Sequence, residues 1–261
     1  MKIYTFIIFI LITLQVKSQE ITTSLVEKTP FNLEQFVGVD KFNNFYGIKN
    51  NTLYKLEGAK HYQFADLQLG ELTSVDLLNP LKITLFYKNT NTVVFVDNRL
   101  NEINRINFTT ISNFRNIAFA TTGKDKSLWI YNIDEQQLEL FNYHTSKAIL
   151  HTQPISNELL SQKSNYNFCW LLQQEKLEYY NSYGSFMGSY KVPKNFKFSE
   201  HNHLIVGKTD EKWLILRKNH SSFETLSVSQ NAVKDFYLNN ENLYIYVDNL
   251  IYQYQLNLSN E

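Results

Sequence analysis

Two histidines stand two residues apart in the stretch Glu200-His201-Asn202-His203-Leu204. On a β-strand, residues i and i+2 share a face, so His201 and His203 can present two imidazoles to one metal ion. A zinc site needs at least three protein ligands, and no His-Glu-x-x-His pattern, cysteine pair or third nearby histidine accompanies them. Position by position the pair falls in a turn between two strands, where solvated polar residues are ordinary. Acidic candidates are Asp40 and Asp76, each closing a Val-Asp run, and Asp235. Carboxylates on strands that line a channel can hold a cation or move a proton. The matching place elsewhere in the chain carries Ala-Phe-Ala or Glu-Leu-Leu, so no acidic ring is implied, and a strand-end aspartate also caps turns through its side chain. The metal candidates are therefore Asp40, Asp76, His201 and His203.

Other chemistry is thinner. Gly123-Lys124 in "ATTGKDKS" lacks the first glycine of a phosphate-binding loop and has no helix after it to aim N–H groups at a phosphate, so it reads as a turn. Cys169 is the only cysteine and sits in the apolar run "NFCWLL", which predicts a buried, inert thiol and excludes an intramolecular disulfide. No serine is set in a nucleophile elbow and no dinucleotide-binding glycine loop is present. The expectation is a protein without a cofactor and, on balance, not an enzyme.

The elements that position these residues are strands. Apolar residues alternate, or run in groups of four to seven, between turns rich in Asn, Asp, Gly and Lys. Six segments repeat this grammar, starting at Val37, Thr73, Asn116, Asn157, Phe196 and Val233. Their second strands fall near Phe45, Leu85, Trp129, Trp170, Ile205 and Tyr244, a period of roughly 40 residues, which is the length of a four-stranded propeller blade. The sixth segment lacks a fourth strand, and "EITTSLVEK" from Glu20 is a strand without a unit. The expected fold is all-β: a six-bladed β-propeller whose last blade is closed by the N-terminal strand, because closure removes two exposed sheet edges. Only 8 glycines and 4 prolines serve more than twenty turns, so Asn50-Asn51, Asn89 to Asn91 and Asn239-Asn240 must supply positive φ angles.

Composition bounds the compartment and the partners. Hydrophobic residues make up 43% of the 261 and aromatics 15%, which excludes a disordered chain. Lys2, the apolar run from Tyr4 to Leu14 and the small residue ending Val16-Lys17-Ser18 read as a signal peptide over residues 1–18. The apolar run is 11 residues, against the roughly 20 that cross a bilayer. Its "SQ" end resembles the export signals of the Bacteroidetes. The mature chain, residues 19–261, is then a single propeller domain with 23 basic and 25 acidic residues, which argues against nucleic acid. It carries no transmembrane segment and no cysteine for a lipid anchor. The expected location is the periplasm, the outer-membrane surface or the extracellular space.

"FVGVDKFNNFYGIKNNTLYKLEG" and "VVFVDNRLNEINRINF" resemble the loose repeats of six-bladed propellers of the NHL-like kind, in which an inner strand ends in Val-Asp. The resemblance spans the mature chain and implies fold; such propellers include binding scaffolds and some enzymes. Turns between second and third strands, residues 88–91, 133–136 and 208–212, share one face with the links between units. That loop face is the expected partner surface, with Lys88, Asn91, Asp134, Glu135, Asp210 and Glu211 on it. The functional expectation is a non-enzymatic scaffold that binds an envelope protein, within an assembly or secretion apparatus. The alternatives are a small ligand or glycan at the channel mouth, or a metal-dependent hydrolase or lyase.

Overall fold

The computed structural model describes residues 20–230 and 232–258, so the expected signal segment lies outside the described residues. Asparagine sets many of the turns. Among the described residues, fifteen non-glycine positions have positive φ and nine of them are asparagines, including Asn50, Asn51, Asn91 and Asn240. Asparagine enters this left-handed region with less strain than most side chains, which is how a glycine-poor chain turns so often.

Strand β1 (Ile21–Pro30) precedes a series of antiparallel sheets built in chain order. The first contains β2 (Gln35–Val39), β3 (Phe45–Lys49), β4 (Thr52–Glu57) and β5 (Lys60–Phe64). The second contains β6 (Ser74–Asp76), β7 (Ile83–Tyr87), β8 (Thr92–Val96) and β9 (Glu102–Asn107). In the third are β10 (Ile117–Thr122), β11 (Ser127–Asn132), β12 (Gln137–Asn142) and β13 (Lys147–His151). The fourth has β14 (Ser161–Ser164), β15 (Phe168–Leu172), β16 (Lys176–Asn181) and β17 (Phe186–Lys191).

The remaining strands form one eight-stranded sheet. They are β18 (Lys197–His201), β19 (Leu204–Lys208), β20 (Trp213–Leu216), β21 (Glu224–Ser227), β22 (Asp235–Asn239), β23 (Asn242–Val247) and β24 (Leu250–Asn257), together with β1. Their spatial order is β18-β19-β20-β21-β1-β24-β23-β22. β1 runs antiparallel to β24 over eight paired positions, from Thr22 opposite Asn257 to Pro30 opposite Leu250. It touches β21 in parallel only at Ile21–Leu226 and Thr22–Ser227. All six expected second-strand residues lie in β3, β7, β11, β15, β19 and β23.

Apolar side chains fill the spaces between successive sheets rather than one central core. Tyr46 and Leu53 meet Leu85 and Val94; Phe86 and Phe95 meet Leu128 and Phe141; Trp129 and Leu138 meet Cys169 and Leu171. The series returns on itself, since Phe31 and Phe36 from the start of the chain pack on Tyr244 and Tyr246 near its end. The Phe31 and Tyr246 rings meet edge-on with centroids 5.2 Å apart. Spacing between sheets is tight: a Cβ on Gly207 would lie 2.0 Å from the Phe196 ring, so only glycine fits there.

Candidate functional site

The first strands of the units, β2, β6, β10, β14, β18 and β22, line a central channel with a cavity of about 330 Å³. Asp40 and Asp76 both border it. Asp40 is buried, and its carboxylate accepts from the N–H groups of Phe42 (2.8 Å) and Asn44 (3.0 Å), from Asn44 Nδ2 and from Tyr46 Oη. It caps the turn after β2. Asp76 accepts from Leu78 N (2.9 Å) and from Thr122 N of the next unit (2.6 Å), tying β6 to β10.

His201 and His203 part company at their turn, where Asn202 and His203 both have positive φ. His201 hydrogen-bonds Asn240 of the next unit, whereas the His203 ring lies 4.5 Å from Phe168 of the preceding one. Burial pushes both imidazoles below their usual pKa. Among the described residues no three His, Cys, Asp or Glu side chains gather as a metal site would require. Cys169 is buried, and burial pushes its thiol well above the usual range.

The channel's unexpected resident is Lys163. Its side chain projects from β14 where water reaches it but protein surrounds it, and among the described residues its ammonium has neither a hydrogen bond nor an ion pair. Burial lowers its pKa and the Asp76 charge works against that. Nearby, burial raises the Glu200 carboxyl above its usual range although Asn165 Nδ2 and the His203 N–H both donate to it. A lysine whose folded pKa is depressed destabilises the fold while it is charged. The penalty is present below the folded pKa and disappears as pH rises to the unfolded value of about 10.4. Lys163→Met is therefore expected to raise Tm at neutral pH, with the gap closing towards pH 10; thermal denaturation across that range checks it.

Opposite ends of the channel differ. On the loop face, the links between units are held by repeated side-chain clasps. Asn51, in the turn between β3 and β4, donates through Nδ2 to Gly70 O (2.7 Å) and accepts from Leu72 N (2.7 Å). Asn91, in the equivalent turn of the second unit, donates to Arg115 O and accepts from Ile117 N (3.1 Å). The second link is gripped from inside as well. Arg115 Nε donates to Glu139 Oε2 (2.6 Å) and Nη1 to Asn113 O (2.8 Å), while the guanidinium lies 4.9 Å from the Phe141 ring centroid. Glu139 in turn accepts from Asn132 Nδ2 (2.9 Å).

Clasping fixes what the face shows. Lys88, Asp134, Glu135, Asp210 and Glu211 are exposed there, whereas Asn91 is buried and positions the link instead of meeting solvent. The face also exposes Leu67 (89%), Phe114 (58%), Ile133 (39%) and Leu160 (53%), which sequence reasoning did not single out. Strand periodicity separates inside from outside, but links have no period, so an exposed Phe114 looks like any core aromatic. The opposite face exposes Phe42, Leu81, Tyr166 and Tyr183 on its own turns.

No protein-family model matches the chain, and no curated protein matches it in sequence. Solved structures do. The chain is similar to a streptogramin B lyase at 12% identity, covering 89% of this chain and 98% of that one, with a TM-score of 0.59. It is also similar to a chain of the mitotic checkpoint complex (9% identity, 98% of each chain, TM-score 0.60). A third is the WD40 domain of Pan2 from Neurospora crassa (9% identity, 88% of this chain and 76% of that one, TM-score 0.57). Likeness at this level shows fold alone: the protein is an all-β propeller of repeated units. Among the described residues no helix is long and apolar enough to cross a membrane.

Proposed function

We propose that the chain is an exported, non-enzymatic propeller that binds another protein of the cell envelope through its loop face. The observation that carries this reading is the set of exposed apolar side chains, Leu67, Phe114, Ile133 and Leu160, on links and turns of one face. Apolar groups held out on a rigid frame cost solvation in the free protein and recover it on docking. The clasps by Asn51 and Asn91 support it, because a pre-organised surface loses less entropy on binding.

The finer architecture belongs to the same proposal: one domain over residues 19–261, six blades of the NHL-like kind. In it the eight-stranded sheet is a fifth and a sixth blade meeting edge to edge, with β1 as the outer strand of the sixth. The strand order and the packing of Phe31 on Tyr246 support that reading.

Crosslinking of the tagged protein in intact cells, followed by mass spectrometry of the envelope fraction, tests the function. One partner captured in stoichiometric amounts is expected, lost in a Leu67→Asp/Phe114→Asp variant that still folds. Capture that survives this variant but fails in Phe42→Asp/Tyr183→Asp would move the contact to the opposite face. Capture of no partner at all would overturn the scaffold reading.

A further inference from the structure

Where the channel opens on the loop face, a cavity of about 710 Å³ is lined by four lysines and two aspartates. The lysines are Lys163, Lys197, Lys208 and Lys234; the carboxylates are Asp210 and Asp235. The chain as a whole has no net charge, so an excess of two positive charges at one opening is a local feature of the fold. Three of these lysines come from β14, from β18 and from the residue before β22, so three neighbouring units each contribute one to the mouth.

The aspartates answer only part of this charge: Lys197 and Lys234 both act electrostatically on Asp235, which leaves Lys163 and Lys208 without a carboxylate of their own at the mouth. Asp235 accepts the N–H of Phe36 (3.1 Å) on the neighbouring strand β2, and Asp210 accepts Asn195 Nδ2 (2.8 Å). Lys208 turns its ammonium to the carbonyls of Thr209 and Asp210, and Lys234 lies over the Tyr246 ring at 5.4 Å. Lys163 and Lys197 have no hydrogen bond and no ion pair among the described residues. Leu160, half-exposed, lines the channel, this mouth and the adjoining groove beside Lys194, so an apolar contact borders the basic one. Lys163 and Lys197 are both solvent-exposed, so their ammonium groups are free to turn towards an incoming carboxylate.

We infer that the basic mouth is the docking point for an acidic segment of the protein partner, with Lys163 at its floor, Lys197 and Lys234 at its rim and Leu160 as the adjoining apolar contact. This inference rests on the scaffold reading and adds the partner's chemistry. An acidic peptide fits better than a small anion because the charges spread over three units and continue into an apolar shoulder.

The test is fluorescence anisotropy of the purified protein with a labelled hexaglutamate peptide. Affinity is expected to fall about tenfold when salt rises from about 50 to about 300 mM, because screened charges carry it. A loss of tenfold or more is expected in Lys197→Glu/Lys234→Glu, whose sites are exposed and whose Tm should match the parent, and a smaller loss in Lys163→Met. Affinity indifferent to salt or to the double variant would overturn the inference. So would displacement of the peptide by inorganic phosphate at equal concentration, which would mark a small-anion site. In the cell, capture lost with Leu67→Asp/Phe114→Asp yet retained with Lys197→Glu/Lys234→Glu would leave the scaffold standing and remove the acidic segment.

Discussion

Deleting β1 is expected to leave a chain that does not hold its native fold at 25 °C. The strand itself is mostly exposed, with only Ile21 buried among its apolar residues, so its loss looks harmless by area. Its effect lies in what it covers. Eight paired positions with β24 would be lost, together with the Thr23 hydroxyl bond to Ser227 O (3.0 Å) on β21. At a net gain of about 1 kcal/mol per hydrogen bond, a ladder of this length is worth about 5 kcal/mol or more, comparable with the whole stability of many domains. The deletion also leaves β24 and β21 as bare edges, which invite pairing between molecules. Circular dichroism melts and size-exclusion profiles check this. A soluble monomer with the parent's Tm would show that β1 is dispensable to the fold.

The second large effect is expected from Glu139→Ala. Glu139 is the counter-charge of Arg115, and both side chains are nine-tenths buried. Removing one partner of such a pair strands the other charge and costs about 3–5 kcal/mol, whereas replacing both by apolar groups of similar volume can be neutral. Urea denaturation should therefore give a large loss for Glu139→Ala and a much smaller one for Arg115→Met/Glu139→Leu. Because Arg115 holds the link that carries Phe114, the single variant should also loosen the loop face. Faster amide exchange across residues 109–116 would report that, and a loss below about 1 kcal/mol would mean that Arg115 finds water instead.

How legible this was in the sequence depends on the range of the interaction. Strand positions were legible, since alternation and turn residues are local: Phe45, Trp129 and Tyr244 lie in the second strands that the period assigns. The partnership of β1 with the last strands followed from counting strands per unit. The Arg115–Glu139 pair was not legible, because two charges 24 residues apart look like surface groups until the link before β10 folds against β12 of the same sheet. Asn91 reads as a solvated turn residue for the same reason; its burial comes from the link folded over it. Lys163 stands in a short polar strand, and only the neighbouring units place it on the wall of a channel. For the loop face, the sequence pointed to the turns but not to which apolar side chains the links would leave outside.

The pairing of β1 with β24 also has a consequence in time. Thr22 and its partner Asn257 lie 235 positions apart in the chain. Contacts at such separation form slowly, because a long loop must close before any of them is rewarded. The unit therefore remains an open arc with unprotected edges until β24 is made. The length of that window, rather than the strength of the finished molecule, is what a chaperone guarding this protein would have to cover.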